Sequence, residues 1–290
     1  MKQPPSSQTG LSLLELMIAM TLGLMITMTL GYILMGSRST YRTQDASARV
    51  QDTGRFALEF IGRQLRAAGR IDITPLVSDG RTNVTLPTGW TAIAGTHGTA
   101  AIGETPAVNG DGAVTINGGT RQTDTLTVQY QLSNMSGGTI VDCNGGTAGA
   151  LGASLQVING AGNICGPSAN QPCRFGTVSN TIGLDGPDLE LQCTGNGGGV
   201  VQPVSEGVED LQFRYAEAAT PSVFNATPAN PANVVAVQVC IMVQSPGNGV
   251  IAAPQPIRDC SGNTYTPNDT RLRRIFTSVF TLRNRVISVP

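Results

Sequence analysis

From Leu11 to Met35 the chain is apolar or small, and its only charge there is Glu15. At about 1.5 Å per helical residue this stretch is long enough to cross a hydrocarbon layer of roughly 30 Å. It is too long for the roughly 7–15-residue apolar core of a secretory signal, and Tyr32-Ile33-Leu34-Met35 offers no small-residue cleavage site. From Arg38 to Ala68 there is no proline. Val50, Ala57, Ile61, Leu65 and Ala68 recur there at helical spacing, with Phe56 and Phe60 widening the stripe. Arg49, Asp52, Arg55, Glu59, Arg63 and Arg66 form the opposite face, where Arg55–Glu59 and Glu59–Arg63 stand four apart. Gly69 suits a C-cap, and Pro75 forbids continuation soon after. The pattern predicts one helix from Leu11 to about Gly69, roughly 85–90 Å long. Its first half would face lipid or other subunits, and its second half would sit on a globular domain.

Beyond Gly69 the period drops to two. Asp124 to Leu132 alternates, with Leu126, Val128, Tyr130 and Leu132 on one face, and predicts a strand. Leu189 to Cys193 and Val208 to Tyr215 predict two more, and the continuous apolar run Val234 to Val243 suits a buried central strand. Arg274 to Leu282 predicts a last strand with Phe276, Phe280 and Leu282 on one face. Residues 80–125 read as turns and short strands, 133–200 as a long Gly/Asn/Cys-rich region, and Ala218 to Asn233 as a loop. The fold class is therefore α+β: a long N-terminal helix packed on an antiparallel β-sheet head, with a loop-rich, disulfide-bonded insertion.

Composition sharpens this picture. Gly (36) and Pro (17) are abundant and charged residues only 13%, as a head of strands and loops requires. The net charge of −1 hides an asymmetry. Residues 36–70 carry seven Arg against Asp45, Asp52 and Glu59, residues 71–270 carry five Arg against fifteen acids, and residues 271–290 carry five Arg and no acid. A basic stem and basic final strand around an acidic middle suit electrostatic complementarity between stacked subunits. Nucleic-acid binding is not expected, because the basic residues lack interleaved aromatic partners.

Six cysteines, Cys143, Cys165, Cys173, Cys193, Cys240 and Cys260, all follow the apolar segment. An even number behind an export segment predicts disulfides in an oxidising compartment. Fifteen complete pairings are open. The local loops Cys165–Cys173 and Cys240–Cys260 would leave Cys143 with Cys193. Zinc is disfavoured because the chain has no CxxC pair and no histidine near the cysteines, and no cofactor is expected. An enzyme needs a nucleophile and base, paired carboxylates or a metal. The sole histidine, His97, stands in Gly95-Thr96-His97-Gly98-Thr99, which reads as a polar loop. Asn109-Gly110-Asp111-Gly112 lacks the alternating acids and closing Glu of a calcium loop. Gly195-Asn196-Gly197-Gly198-Gly199 lacks the Lys-Ser/Thr of a phosphate cradle. The chain is expected to have no catalytic activity.

The segment Gly10-Leu11-Ser12-Leu13-Leu14-Glu15 resembles the N-terminus of type IV prepilins, with Leu11 standing where Phe is usual. Thr53 to Ile61, Val208 to Tyr215, and Leu272 to Phe276 followed by Thr281 to Arg285 resemble, in that order, the PilW-type minor pilins of the type IV pilus. The resemblance implies a leader at 1–10, a transmembrane and assembly helix at 11–35, an amphipathic stem at 36–70 and a periplasmic head at 71–290. The Cys-rich region would be 140–200. It also implies cleavage between Gly10 and Leu11 by a prepilin peptidase, methylation of the Leu11 amine, and a Glu15 carboxylate that neutralises a neighbouring subunit's N-terminus. A buried carboxylate costs a few kcal/mol in lipid, so a partner is expected on physical grounds too. Implied partners are other minor pilins, the major pilin and inner-membrane lipid. The implied role is priming of pilus assembly, with a place at or near the pilus tip. The alternatives are a minor pseudopilin of a type II secretion system and a signal-anchored periplasmic binding module or adhesin.

Overall fold

A computed structural model of the chain describes residues 12–70, 93–97, 100–101, 113–116, 119–133, 141–146, 158–159, 162–163, 175–185, 188–198 and 200–283. One helix, α1 (Leu13–Ala67), runs unbroken through both halves of the predicted pattern. In its apolar half the threonine hydroxyls bond back into the helix: Thr21 Oγ1 donates to the Ile18 carbonyl at 2.9 Å and Thr29 Oγ1 to Met25 at 2.8 Å. Those hydroxyls therefore need no water. The helix stops where the sequence says it should. Gly69 takes the left-handed conformation (φ 70°) and donates its N–H to the Gln129 carbonyl at 2.9 Å, fixing the helix end to the head.

The strands follow in chain order. First come β1 (Ile93–His97), β2 (Ala100–Ala101), β3 (Ala113–Ile116), β4 (Gly119–Gln122) and β5 (Thr125–Ser133). Next are β6 (Ile158–Asn159), β7 (Gly162–Asn163), β8 (Phe175–Asp185), β9 (Glu190–Gly195) and β10 (Gln202–Glu206). Then come β11 (Val208–Glu217), β12 (Thr220–Asn225), β13 (Val234–Gln244), β14 (Ile257–Arg258), β15 (Thr264–Tyr265) and β16 (Arg273–Thr281). Among these, β10-β9-β8-β5-β1-β2 form one antiparallel sheet and β12-β11-β13-β16 a second. The pairs β3–β4, β6–β7 and β14–β15 are separate two-stranded ribbons.

The two sheets and the C-terminal half of α1 share one core. Val50, Ala57, Ile61 and Leu65 of the helix meet Leu126 and Val128 of β5, Ile182 of β8 and Leu191 of β9 in a single cluster. Leu211, Phe213 and Tyr215 of β11 and Val237, Val239 and Ile241 of β13 complete it from the second sheet. Asp124, just before β5, joins the sheets. Its N–H donates to the Leu211 carbonyl at 2.9 Å and its carboxylate accepts from the Phe213 N–H at 2.7 Å.

Two glycines let the helix lie close on β16. A side chain at Gly54 would collide with the Phe276 ring, and one at Gly62 with the Phe280 ring. Gly54→Ala is therefore expected to destabilise the head by about 1–3 kcal/mol, the usual cost of overpacking, despite alanine's better helix propensity. Thermal unfolding in a Phe276→Leu background should recover part of that loss. Equal loss in both backgrounds would show that the ring contact is not the cause.

Several sequence expectations need correction. Phe56 does not widen the buried stripe: it is 48% exposed, while Phe60 is only partly buried. Phe56 is rotated about 100° round the helix from the buried Ala57. The expected loop Ala218 to Asn233 contains β12 and a 3-10 turn at Pro231–Asn233. The Gly-rich region 133–200 contains the 11-residue strand β8, whose Ser, Asn and Thr positions hid its alternation. The polar loop expected around His97 is strand β1 over its first three residues. Residues 109–112 lie outside the described residues.

Candidate functional site

The N-terminal half of α1 is uncovered by the rest of the chain. Its most apolar 18-residue window has a mean hydropathy of 2.0 and none of it is buried, so by length and composition this helix can cross a membrane. Leu13, Leu14, Met17, Met20, Met25 and Met35 are among the exposed large side chains. Glu15 lies in the first helical turn and is exposed. There its carboxylate is also favoured by the helix dipole. Gly10 and Leu11 lie outside the described residues.

Among the described residues the head is stapled twice. Cys143 is bonded to Cys193 of β9, and Cys240 of β13 to Cys260. Cys165 and Cys173 lie outside the described residues. The first bridge closes on a polar junction. The buried Asn180 side chain accepts from the Cys143 N–H at 3.1 Å and donates to Gln64 Oε1 on α1 at 2.9 Å, so helix, sheet and disulfide meet at one residue. Asp142 beside it accepts from the N–H groups of Asn144 (3.1 Å), Gly146 (2.9 Å) and Gly197 (2.6 Å). The second bridge pins residues 245–272 against the outer face of the second sheet, where Asp210 Oδ2 accepts from the Cys260 N–H at 2.9 Å.

Sequence reasoning missed a buried ionic cluster at the base of this excursion. A bulge in β11 makes Glu209 the extra residue between the pairs Val208–Val243 and Asp210–Met242, and Glu209 is fully buried. Arg273, at the start of β16, grips it with Nε to Oε2 at 2.8 Å and Nη2 to Oε1 at 2.9 Å. The same guanidinium reaches Asp269 with Nη1 to Oδ1 at 2.5 Å and Nη2 to Oδ2 at 2.7 Å. The hydrogen bonds from Arg273 hold the Asp269 carboxyl below its ordinary range, against the opposing effect of burial. The same two carboxylates outweigh burial at Arg273 and raise its already high pKa. An acid at the start of one strand and two arginines at the start of another are too common in sequences to announce such a pair. The cluster binds strand to loop.

One further buried polar atom stands apart. The Tyr215 hydroxyl has no hydrogen-bond partner among the described residues, and burial, with a contribution from Asp124, pushes its pKa well up. Tyr215→Phe is expected to leave the head as stable or up to about 1 kcal/mol more stable, since an unsatisfied hydroxyl is costly. A clear loss on chemical denaturation would reveal a partner for the hydroxyl.

A cleft of about 650 Å³ opens between Arg49–Thr53 of α1 and the ends of β9, β10 and β13. Asp52, Asp188, Glu190 and Glu206 line it against Arg49 and Arg271. Among the described residues no three His, Cys, Asp or Glu side chains are grouped to hold a metal.

The class these features define is an α+β protein whose long N-terminal helix is bare at one end and is part of the core of a stapled, sheet-built head at the other. Residues 179–284 match the family model for the Type IV Pilus-assembly protein W. This is the family that Val208 to Tyr215 and Leu272 to Arg285 resemble in sequence. The matched span runs from within β8 through β16, and includes the Glu209–Asp269–Arg273 cluster and both Cys240 and Cys260. Among solved structures, the chain is similar to a type IV-like pilin, TTHA1219 from Thermus thermophilus. The identity is 14% and the TM-score 0.40, over 82% of this chain and 99% of that one. No curated protein matches the chain.

Proposed function

We propose that the chain is a minor pilin that works in assembly of the type IV pilus. The observation that carries this reading is one continuous helix. Its bare apolar half bears Glu15, and its other half is the core of a head whose strands match the pilus-assembly family. In this reading a prepilin peptidase cuts between Gly10 and Leu11 and the Leu11 amine is methylated. Residues 11–35 hold the subunit in the inner membrane, with the stem at 36–70 and the head at 71–290 in the periplasm. The two disulfides suit that compartment. The role is mechanical and non-enzymatic: bare helices of this subunit, of other minor pilins and of the major pilin associate to begin a filament. A head of this size suits a few copies, placed at or near the tip, better than a densely repeated shaft.

Deletion of the gene tests the reading. Surface pili and pilus-dependent motility should be lost, with protein secretion intact, and the full-length chain should restore them. Normal pili with a failure of type II secretion would assign the chain to the secretion machine instead.

A further inference from the structure

The head carries an uncharged tip directed toward the bare half of α1, and the register of its strands shows why. Gly54 faces Phe276 and Gly62 faces Phe280, so β16 runs in the same direction as α1. Its antiparallel neighbour β13 therefore runs back toward the bare half of the helix. At its end Gln244, Ser245 and Pro246 stand level with Arg49–Thr53. The chain continues in the same direction until the Val250 carbonyl accepts from Thr43 Oγ1 at 3.3 Å. The N–H groups of Val250 and Ile251 both donate to the Thr270 carbonyl at 3.0 Å, which fixes the tip. By Gln255 and Pro256 the chain has turned back beside Arg271 and Arg273. Among the described residues of the head, residues 247–254 therefore reach furthest toward Met35.

Composition gives this tip its meaning. Residues 246–257 contain no charged side chain, in a head whose residues 71–270 carry fifteen acids against five Arg. Ala252, Ala253 and Pro254 are exposed, and so are Arg38 and Arg42 on the helix alongside. Asp188, Glu190 and Glu206 are set back at the level of Arg49. Thr43 lies eight residues past Met35, or about 12 Å along the axis. Headgroups extend roughly 5–7 Å beyond the hydrocarbon, and an ordinary helix tilt of about 20° brings one side of the head lower still.

We propose that residues 247–254 rest on the lipid headgroups of the inner membrane, with Arg38 and Arg42 taking anionic phosphates beside them. The proposal rests on the reading that α1 spans the membrane. It makes the tip a second point of support that orients the head before the subunit leaves the bilayer.

The test uses the full chain in vesicles of phosphatidylcholine and phosphatidylglycerol. Trp90, the one native tryptophan, becomes Phe in every variant, and a single Trp is placed by Ala253→Trp, Val223→Trp or Ile33→Trp. Val223 is exposed on β12, which pairs with the opposite end of β11. Headgroup-nitroxide lipid should quench the Ala253→Trp variant at least about threefold more than the Val223→Trp variant, as an interfacial contact requires. Acyl-brominated lipid should quench the Ile33→Trp variant. Equal quenching at 253 and 223, with position 33 quenched, overturns the contact and leaves the anchor standing. An unquenched position 33 overturns the membrane-spanning reading and the contact with it.

Discussion

Replacing Arg273 with methionine is expected to lower the stability of the head by about 3–5 kcal/mol, because it strands two carboxylates that the guanidinium now satisfies. Glu209 is fully buried, while Asp269 is 9% exposed and, among the described residues, would keep only the Arg271 N–H, at 3.2 Å. The loss should reach further than one contact. Glu209 belongs to β11, Asp269 to the stapled excursion and Arg273 to β16, so three segments come apart at the base of the second sheet. Arg273→Lys keeps the charge but not the planar fork and should recover only part of the loss. Chemical denaturation of the three proteins at neutral pH would measure this. A methionine variant within about 0.5 kcal/mol of the parent would show that the cluster is not a net support.

The same cluster sets a direction in pH. Asp269's carboxyl is held below its ordinary value in the folded chain. Its contribution is therefore complete above the ordinary carboxylate value near 4, and is lost as pH falls through the lowered folded value. Asp269→Asn should flatten that acid limb. In the methionine variant the Asp269 contribution to that limb should shrink, because the hydrogen bonds that lower its pKa are gone.

The second large effect concerns assembly. Glu15→Ala should leave the subunit exported, cleaved and folded, and yet absent from filaments. The bare helix offers neighbours little but apolar surface, and an apolar surface fixes no axial register. A carboxylate paired with a neighbour's terminal ammonium supplies one, because the pair is far stronger in apolar surroundings than in water, although desolvation offsets much of the gain. Glu15→Gln separates charge from shape and should fail like alanine. Immunodetection of the subunit in sheared pili reads the outcome. Parent-level incorporation of either variant would remove Glu15 from the assembly mechanism.

The helix and the last strands were legible because their signals are local. Val50, Ala57, Ile61 and Leu65 repeat at 3.6 and are all buried; Gly69 stops the helix in the conformation a cap requires. The run Val234 to Val243 is central in its sheet, between β11 and β16, and its β-branched Val237, Val239, Ile241 and Val243 fill the face turned to the core. What could not be read depends on distant partners. The division into two sheets is set by how Asp124 meets Leu211 and Phe213, some 90 positions later in the chain. β8 keeps its core positions at Val178, Ile182 and Leu184 but places the buried Asn180 between them, where Gln64 and Cys143 satisfy it. The Arg273 cluster needs a bulge at Glu209 that no residue type demands. Among the candidate site residues, Glu15 is where the pattern put it, at the start of an exposed apolar helix. The tip at residues 247–254 was hidden because nothing in its composition says which way it points.

The most direct measurement is mass spectrometry of the N-terminal peptide of the chain isolated from native membranes. The account predicts a mature chain beginning at Leu11 and carrying a methylated amine. A membrane-bound chain that still begins at Met1, or one cut beyond Met35, would contradict it.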